Sequence, residues 1–139
     1  MRRNGARKAA GGPATSLRRL PVGSENVLLV ASDEPAARDL EDRLLMLGYR
    51  ISASADPVET MTLVLSGDFA LVIVDVSANI GVTPEEVADA ISQSGADSAL
   101  LIIGGSKPAG HNGVDRLKVP YSLGDLAVRV RAMLDRRSV

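Results

Sequence analysis

The chain has 139 residues, 45% of them hydrophobic and 24% charged, the size and composition of one compact domain able to bury a core. It contains no cysteine and a single histidine, His111, so disulfides, thiolate or histidine-cluster metal sites and thiol catalysis are excluded. No run approaches the roughly 18 consecutive apolar residues of a membrane span, and no secretory apolar stretch of about 7 to 15 residues opens the chain, so a cytoplasmic protein without a membrane span is expected.

The net charge of −1 hides an asymmetry. Residues 1–24 hold six basic residues (Arg2, Arg3, Arg7, Lys8, Arg18, Arg19) and no acid, whereas the rest carries 10 basic and 17 acidic residues. A stretch rich in Gly, Ala and Arg buries too little apolar surface to offset its ordering entropy. It reads as a disordered basic tail before a domain spanning 25–139. Such an arm can hold nucleic acid, anionic lipid or an acidic protein face, although a solvated leader is the plainer reading.

From Asn26 onward, short apolar runs alternate with amphipathic segments, as in βαβ architecture. Val27 to Val30 make a first strand. Pro35 suits a first helical turn, and Ala37, Leu40, Leu44 and Leu47 recur at helical spacing up to a capping Gly48. Glu34 with Arg38 and Asp39 with Arg43 are spaced for i, i+4 pairs. Arg50 to Ser54 read as a second strand, followed by Asp56, Pro57 and Glu59 as N-cap, N1 and N3 of a helix ending near Gly67.

The run Phe69 to Val74 is apolar on both faces, as a central parallel strand must be. Thr83, Pro84 and Glu86 start a third helix, with Val87 and Ile91 facing inward. Ala99 to Ile103 form a fourth strand, Leu117 to Val119 a weaker fifth, and the last helix starts at Ser122 with Leu126, Val130, Met133 and Leu134 buried. Residues 104–115 hold four glycines and a proline, which argues against a full helix there. Leu44, Val74, Ile102 and Val130 are expected in the core.

In an open parallel sheet, ligands bind beyond the carboxyl ends of the strands, where the strand order reverses. The informative residues are therefore Ser32, Asp33 and Glu34 after strand one, Asp75 after strand three, Gly104 and Gly105 after strand four, and Val119 and Pro120 after strand five.

At these positions the blocks VLLVASDEPAAR, ALVIVD and VPYSLGDLAVRVRAML resemble bacterial response-regulator receiver domains over roughly residues 26–137. The resemblance implies a flavodoxin-like (CheY-like), doubly wound, five-stranded parallel sheet, with the family's fourth helix short or missing here. It also implies that Asp75 is the phosphoacceptor position, served by a histidine kinase. Of the family's acidic pair after strand one, Ser32 replaces one member and Asp33 keeps the other. Gly104 and Gly105 stand where the family has a Thr or Ser, with Ser106 just beyond. Val119 stands where it has a Lys, and Arg116 where it has a switching aromatic.

These positions manage charge around a phosphoryl group. A carboxylate attacking an anionic donor needs a divalent cation, so a weakly held Mg²⁺ on Asp33, Asp75 and Glu34 is the cofactor expectation. Without the Lys a cation is lost, and without the hydroxyl nothing draws the fourth loop toward the phosphate. Lys118 is no substitute, because adjacent strand residues point to opposite faces, while Lys107 can swing in from the Gly-rich loop.

GGSKPAGHNG lacks the spacing of a phosphate loop and reads as a connector, in which His111 is solvated. Two or three carboxylates without a nucleophile and base or an oxyanion site do not make another kind of enzyme. The leading expectation is a stand-alone, atypical receiver (a pseudo-receiver) that docks a protein partner, a histidine kinase or another signalling protein. The alternatives are an active phosphoacceptor on Asp75 in a phosphorelay, and a nucleic-acid or anionic-surface binder through residues 1–24.

Overall fold

A computed structural model describes residues 20–32, 35–76, 81–105 and 113–137. Five strands, β1 (Asn26–Val30), β2 (Arg50–Ser54), β3 (Leu71–Asp75), β4 (Ala99–Ile103) and β5 (Val114–Leu117), form one sheet in the order β2-β1-β3-β4-β5. Every neighbouring pair is parallel. Helices α1 (Pro35–Met46), α2 (Pro57–Ser66), α3 (Pro84–Ser94) and α4 (Leu123–Arg137) complete the described residues. This is the flavodoxin-like arrangement expected.

Alternation along the strands divides the core in two. Val27, Leu29, Leu71, Ile73, Leu101 and Ile103 face α1 and α4, where Leu40, Leu44, Leu126 and Val130 cover them. Leu28, Val30, Val72, Val74, Leu100 and Ile102 face α2 and α3, covered by Val64, Val87 and Ala90. Leu44, Val74, Ile102 and Val130 are all buried, as their periodicity requires.

The helix starts follow their capping chemistry. The Asp56 carboxylate accepts from the Glu59 N–H at 2.8 Å. Thr83 with Glu86, and Ser122 with Asp125, form reciprocal side-chain to backbone pairs. Asp39 and Arg43 pair at 2.9 Å, while Glu34 lies outside the described residues.

Two strands differ from their expected bounds. β3 begins at Leu71 rather than Phe69, because Phe69 packs against the α2/α3 core from the preceding loop, and it extends to Asp75, which pairs with Ile103. β5 runs over Val114–Leu117 rather than 117–119. Its register against Leu100–Ile103 places Leu117 opposite Ile103, and Val119 is 59% exposed beyond the ladder. Only Leu117 of β5 is fully buried, so the strand's hydrophobic signature is faint. Ten residues, 104–113, join β4 to β5, and the expected shortening of a helix there falls on 106–112, outside the described residues.

The outward-facing backbone polar groups of Arg116 in β5 are taken up by side chains. The Arg116 N–H donates to Asp115 Oδ1 at 2.8 Å, and Arg129 Nη1 donates to the Arg116 carbonyl at 2.8 Å. An Asp115–Arg129 ion pair of 2.9 Å closes the ring, with Arg136 at 3.5 Å.

Residues 20–24, which composition groups with the tail, lie against the domain; residues 1–19 are outside the described residues. Leu20 packs on the α1/α4 core, and the Gly23 N–H donates to the Leu47 carbonyl at 3.1 Å. Arg131 grips Glu25 with both terminal nitrogens, Nη1 to Oε1 at 3.2 Å and Nη2 to Oε2 at 2.7 Å. That fork holds the Glu25 carboxyl down at about 2.

Because the folded-state pKa lies below the ordinary value, the pair's contribution is full above about pH 4.5 and is lost as pH falls toward 2. Glu25→Gln is therefore expected to cost about 1 to 2 kcal/mol at pH 7, after allowing for solvent screening of the partly exposed pair. The gap from wild type should shrink through pH 4 and 3, as read by urea titrations at each pH.

Candidate functional site

Chain order makes the carboxyl ends of β1 and β3 the place where crossovers diverge. β1 leads through α1 outward to β2, whereas β3 leads through α3 the other way to β4. A crevice opens between neighbouring strands whose connections part in this way. Ser32, half-buried, follows β1 on one side of it, and Asp75, half-buried, ends β3 on the other.

Asp75 is fixed by the ladder. It pairs with Ile103, and the next N–H, that of Val76, donates to the Ile103 carbonyl at 3.1 Å. Tyr121, between β5 and α4, comes within electrostatic reach. Burial raises its phenol above the ordinary range, with Arg43 opposing and Asp75 adding to the rise. Nothing in the linear sequence signals this approach, since 46 positions separate the two residues.

The end of β4 is the distinctive part. Gly104 has φ +87° and Gly105 φ +75°, left-handed conformations that side-chain-bearing residues rarely adopt. Both backbone polar groups of Gly104 are committed to β5: its N–H donates to the Leu117 carbonyl at 2.9 Å, and its carbonyl accepts from Arg116 Nη1. A Cβ on Gly104 would stand 3.3 Å from Val76 Cγ2, and one on Gly105 would run into Arg116 Nη1. Backbone and neighbours are therefore both arranged for glycine at these two positions.

Arg116 thus has a function its sequence position did not suggest. It crosses from β5 to hold the end of β4. Its Nε is buried without a hydrogen-bond partner among the described residues, so its placement rests on the terminal nitrogen and on packing. The available signal was the double glycine at a strand end, two chain-reversing residues that leave room for a neighbouring side chain.

Val119 is exposed and precedes a cis peptide to Pro120, so the position presents an aliphatic group rather than a cation. Lys118 is exposed just beyond β5. Asp33, Glu34, Ser106, Lys107 and His111 lie outside the described residues. Of the expected Mg²⁺ ligands only Asp75 can therefore be placed, and among the described residues no group of three or more acids or histidines is assembled around a cation site. No described helix is long and apolar enough to cross a membrane.

No protein-family model matches the chain, and no curated protein matches it. Solved structures do. A response regulator receiver protein from Sinorhizobium medicae WSM419 superposes with a TM-score of 0.71 at 18% identity, over 82% of this chain and 97% of that one. The receiver domain of the hybrid histidine kinase CckA gives a TM-score of 0.61 at 27% identity, over 78% of this chain and 98% of that one. The receiver domain of the sensor histidine kinase PA1611 from Pseudomonas aeruginosa PAO1, solved with magnesium coordinated in its active-site cleft, gives 0.61 at 19%, over 82% and 97%.

Proposed function

Since the chain has the fold of response-regulator receiver domains, we propose that it is a receiver-type signalling module that regulates a protein partner by docking, largely independently of phosphorylation. The observation that carries this reading is the pinned end of β4. A phosphoryl group on Asp75 can shift a conformational equilibrium only through contacts that differ between two states. Gly104 offers no side chain to such a group, and both its backbone polar groups are bound to β5. Val119 offers no cation, and Arg116 is engaged with the β4 carbonyl rather than poised to move.

A second reading has one observation in its favour. Asp75 stands at the strand-switch crevice, where a phosphoacceptor must be, and Asp33 and Glu34 follow β1 on the crevice's other side in sequence. These carboxylates would hold Mg²⁺, which would offset the charge of an incoming phosphodonor. On that reading the module carries or drains phosphate rather than switching. Nucleic-acid binding through the basic residues 1–24 is a third reading, marked by binding that falls steeply with salt.

Two measurements separate the first two. A mass gain of one phosphate on Asp75 after acetyl phosphate and Mg²⁺ supports the phosphoacceptor. Amide spectra with and without beryllofluoride and Mg²⁺ test the switch. Shifts are expected to stay around Asp75 and Ser32, leaving Gly104, Gly105 and Leu117 in place. A concerted move of those three that Asp75→Ala abolishes, together with a tenfold change in partner affinity, about 1.4 kcal/mol of coupling, would overturn the docking reading.

A further inference from the structure

The two faces of β5 are not covered alike. Leu117 faces α4 and is buried with it, whereas Val114, on the opposite face, is only half-buried against a cluster whose helical side chains all come from α2 and α3. Parallel strands are ordinarily covered on both faces. The three earlier crossovers meet that need with helices of 12, 10 and 11 residues. The ten residues from β4 to β5 fall short of the dozen or more that such a crossover takes, and Gly104, Gly105 and Gly113 at its two ends are all left-handed turn residues.

Beside α3 this leaves a recess of about 190 Å³. Leu100 and Val114, paired across β4 and β5, form its floor, and Ala88 and Ile91 of α3 form one wall. At its β5 end it is open, since a Cβ on Gly113 would meet nothing within 4 Å. Cavities for whole small molecules run to about 300–1,000 Å³, so this one suits a single large apolar side chain, the kind of anchor around which protein interfaces are built. Its rim carries one charge. Asp89 is exposed and has no ion pair or hydrogen bond among the described residues, and no lysine or arginine lines the recess. The chemistry that completes it is an apolar anchor with a cation beside it.

We infer that the α3/β5 recess receives an apolar side chain of the protein partner, flanked there by a lysine or arginine that pairs with Asp89. The anchor supplies cover that the short β4–β5 connection does not. The ion pair is worth little at an exposed rim, but it fixes which way the segment runs and selects against acidic ones. This rests on the docking reading and names its contact, yet the two fail separately. A beryllofluoride-driven change in partner affinity strikes phosphate-independent docking and leaves the recess as it is, whereas a recess that takes no anchor leaves docking to another face.

Short peptides blocked at both ends serve as probes. At low salt, acetyl-Ala-Phe-Lys-Ala-amide titrated into the full chain should give saturable amide shifts centred on Ala88, Asp89, Ile91, Leu100 and Val114. Replacing its Phe by Ala should abolish saturation, and replacing its Lys by Glu should raise the Kd about threefold, the scale of a rim ion pair. Asp89→Asn, at a side chain without other partners among the described residues, should erase that difference while keeping the Phe-dependent binding. Ala88→Leu should remove the binding by filling the recess. No saturable shift at these amides would overturn the inference, because the recess would then be too shallow or already covered by the chain itself. Equal shifts from the Phe-free peptide would reduce it to general attraction of cations, and a Lys preference unchanged in Asp89→Asn would strike the assigned pair. Shifts at the same amides that grow with protein concentration alone would give the recess to a second copy instead of a partner.

Discussion

Leu101→Ala should cost this domain about 3 to 5 kcal/mol, within the range for a buried leucine cut to alanine in a site that cannot collapse. Leu101 is fully buried at the centre of β4, paired with Ile73, beneath α1 and α4. Strands on both sides and helices above hold its neighbours, so the removed atoms leave a void. A domain of ordinary stability has about 5 to 15 kcal/mol in hand, so the variant should unfold at much lower urea with an unchanged slope. Val128→Ala, on the exposed side of α4, should stay within about 0.5 kcal/mol of wild type. A Leu101→Ala midpoint close to that of Val128→Ala would refute the packing described for β4.

Gly48→Ala is expected to be nearly as damaging, for a different reason. Gly48 follows α1 with φ +100°, and a Cβ there would run into the Gly23 carbonyl oxygen. Neither backbone can withdraw cheaply: the Gly48 N–H is bonded to the Leu45 carbonyl at 2.9 Å, and Gly23 is bonded to Leu47. Backbone strain of about 1 to 3 kcal/mol is joined by a steric conflict, giving an expected loss of about 2 to 4 kcal/mol. Gly95→Ala serves as the control. Its φ is +74°, but nothing lies within 4 Å of the added Cβ, so it reports the conformational term alone. Thermal or urea unfolding of the two variants should therefore differ, with Gly48→Ala also loosening the amides of residues 20–25. Equal losses would mean that the approach of Gly23 to Gly48 is not tight.

The frame of the molecule was legible because its signals are physical constraints with few solutions. Fully apolar runs such as Leu71–Val74 and Ala99–Ile103 can be satisfied only by strands covered on both faces, and Asp56-Pro57 or Thr83-Pro84 can hardly begin anything but a helix. β5 was placed three residues late because an edge strand with one buried residue carries almost no pattern. The docking of residues 20–24 was not legible either. Leu20 and Gly23 acquire their meaning only from Gly124, Arg131 and Leu47, more than 20 positions away.

Strand counting put Asp75 at the end of β3 and Gly104 and Gly105 after β4, where they stand, but Arg116, expected ahead of the fifth strand, lies within it, and Val119, expected at its end, lies beyond it. What a one-dimensional reading could not supply was that Arg116 reaches back to the Gly104 carbonyl. That contact depends on the parallel register of β4 and β5, which sets Arg116 opposite Ile102 and within reach of the loop that follows.

The ring formed by Asp115, Arg129 and the Arg116 backbone bears on how this molecule can be approached from its β5 side. A parallel sheet ends in a row of amide and carbonyl groups that will template another strand if left bare. Here the outward pair at Arg116 is already saturated by the molecule's own charges. An incoming extended peptide would have to break two hydrogen bonds and strand an ion pair before gaining any ladder of its own. At Arg116, therefore, recognition from this flank has to be written in side chains, and a second copy gains no added ladder at that residue by approaching edge to edge.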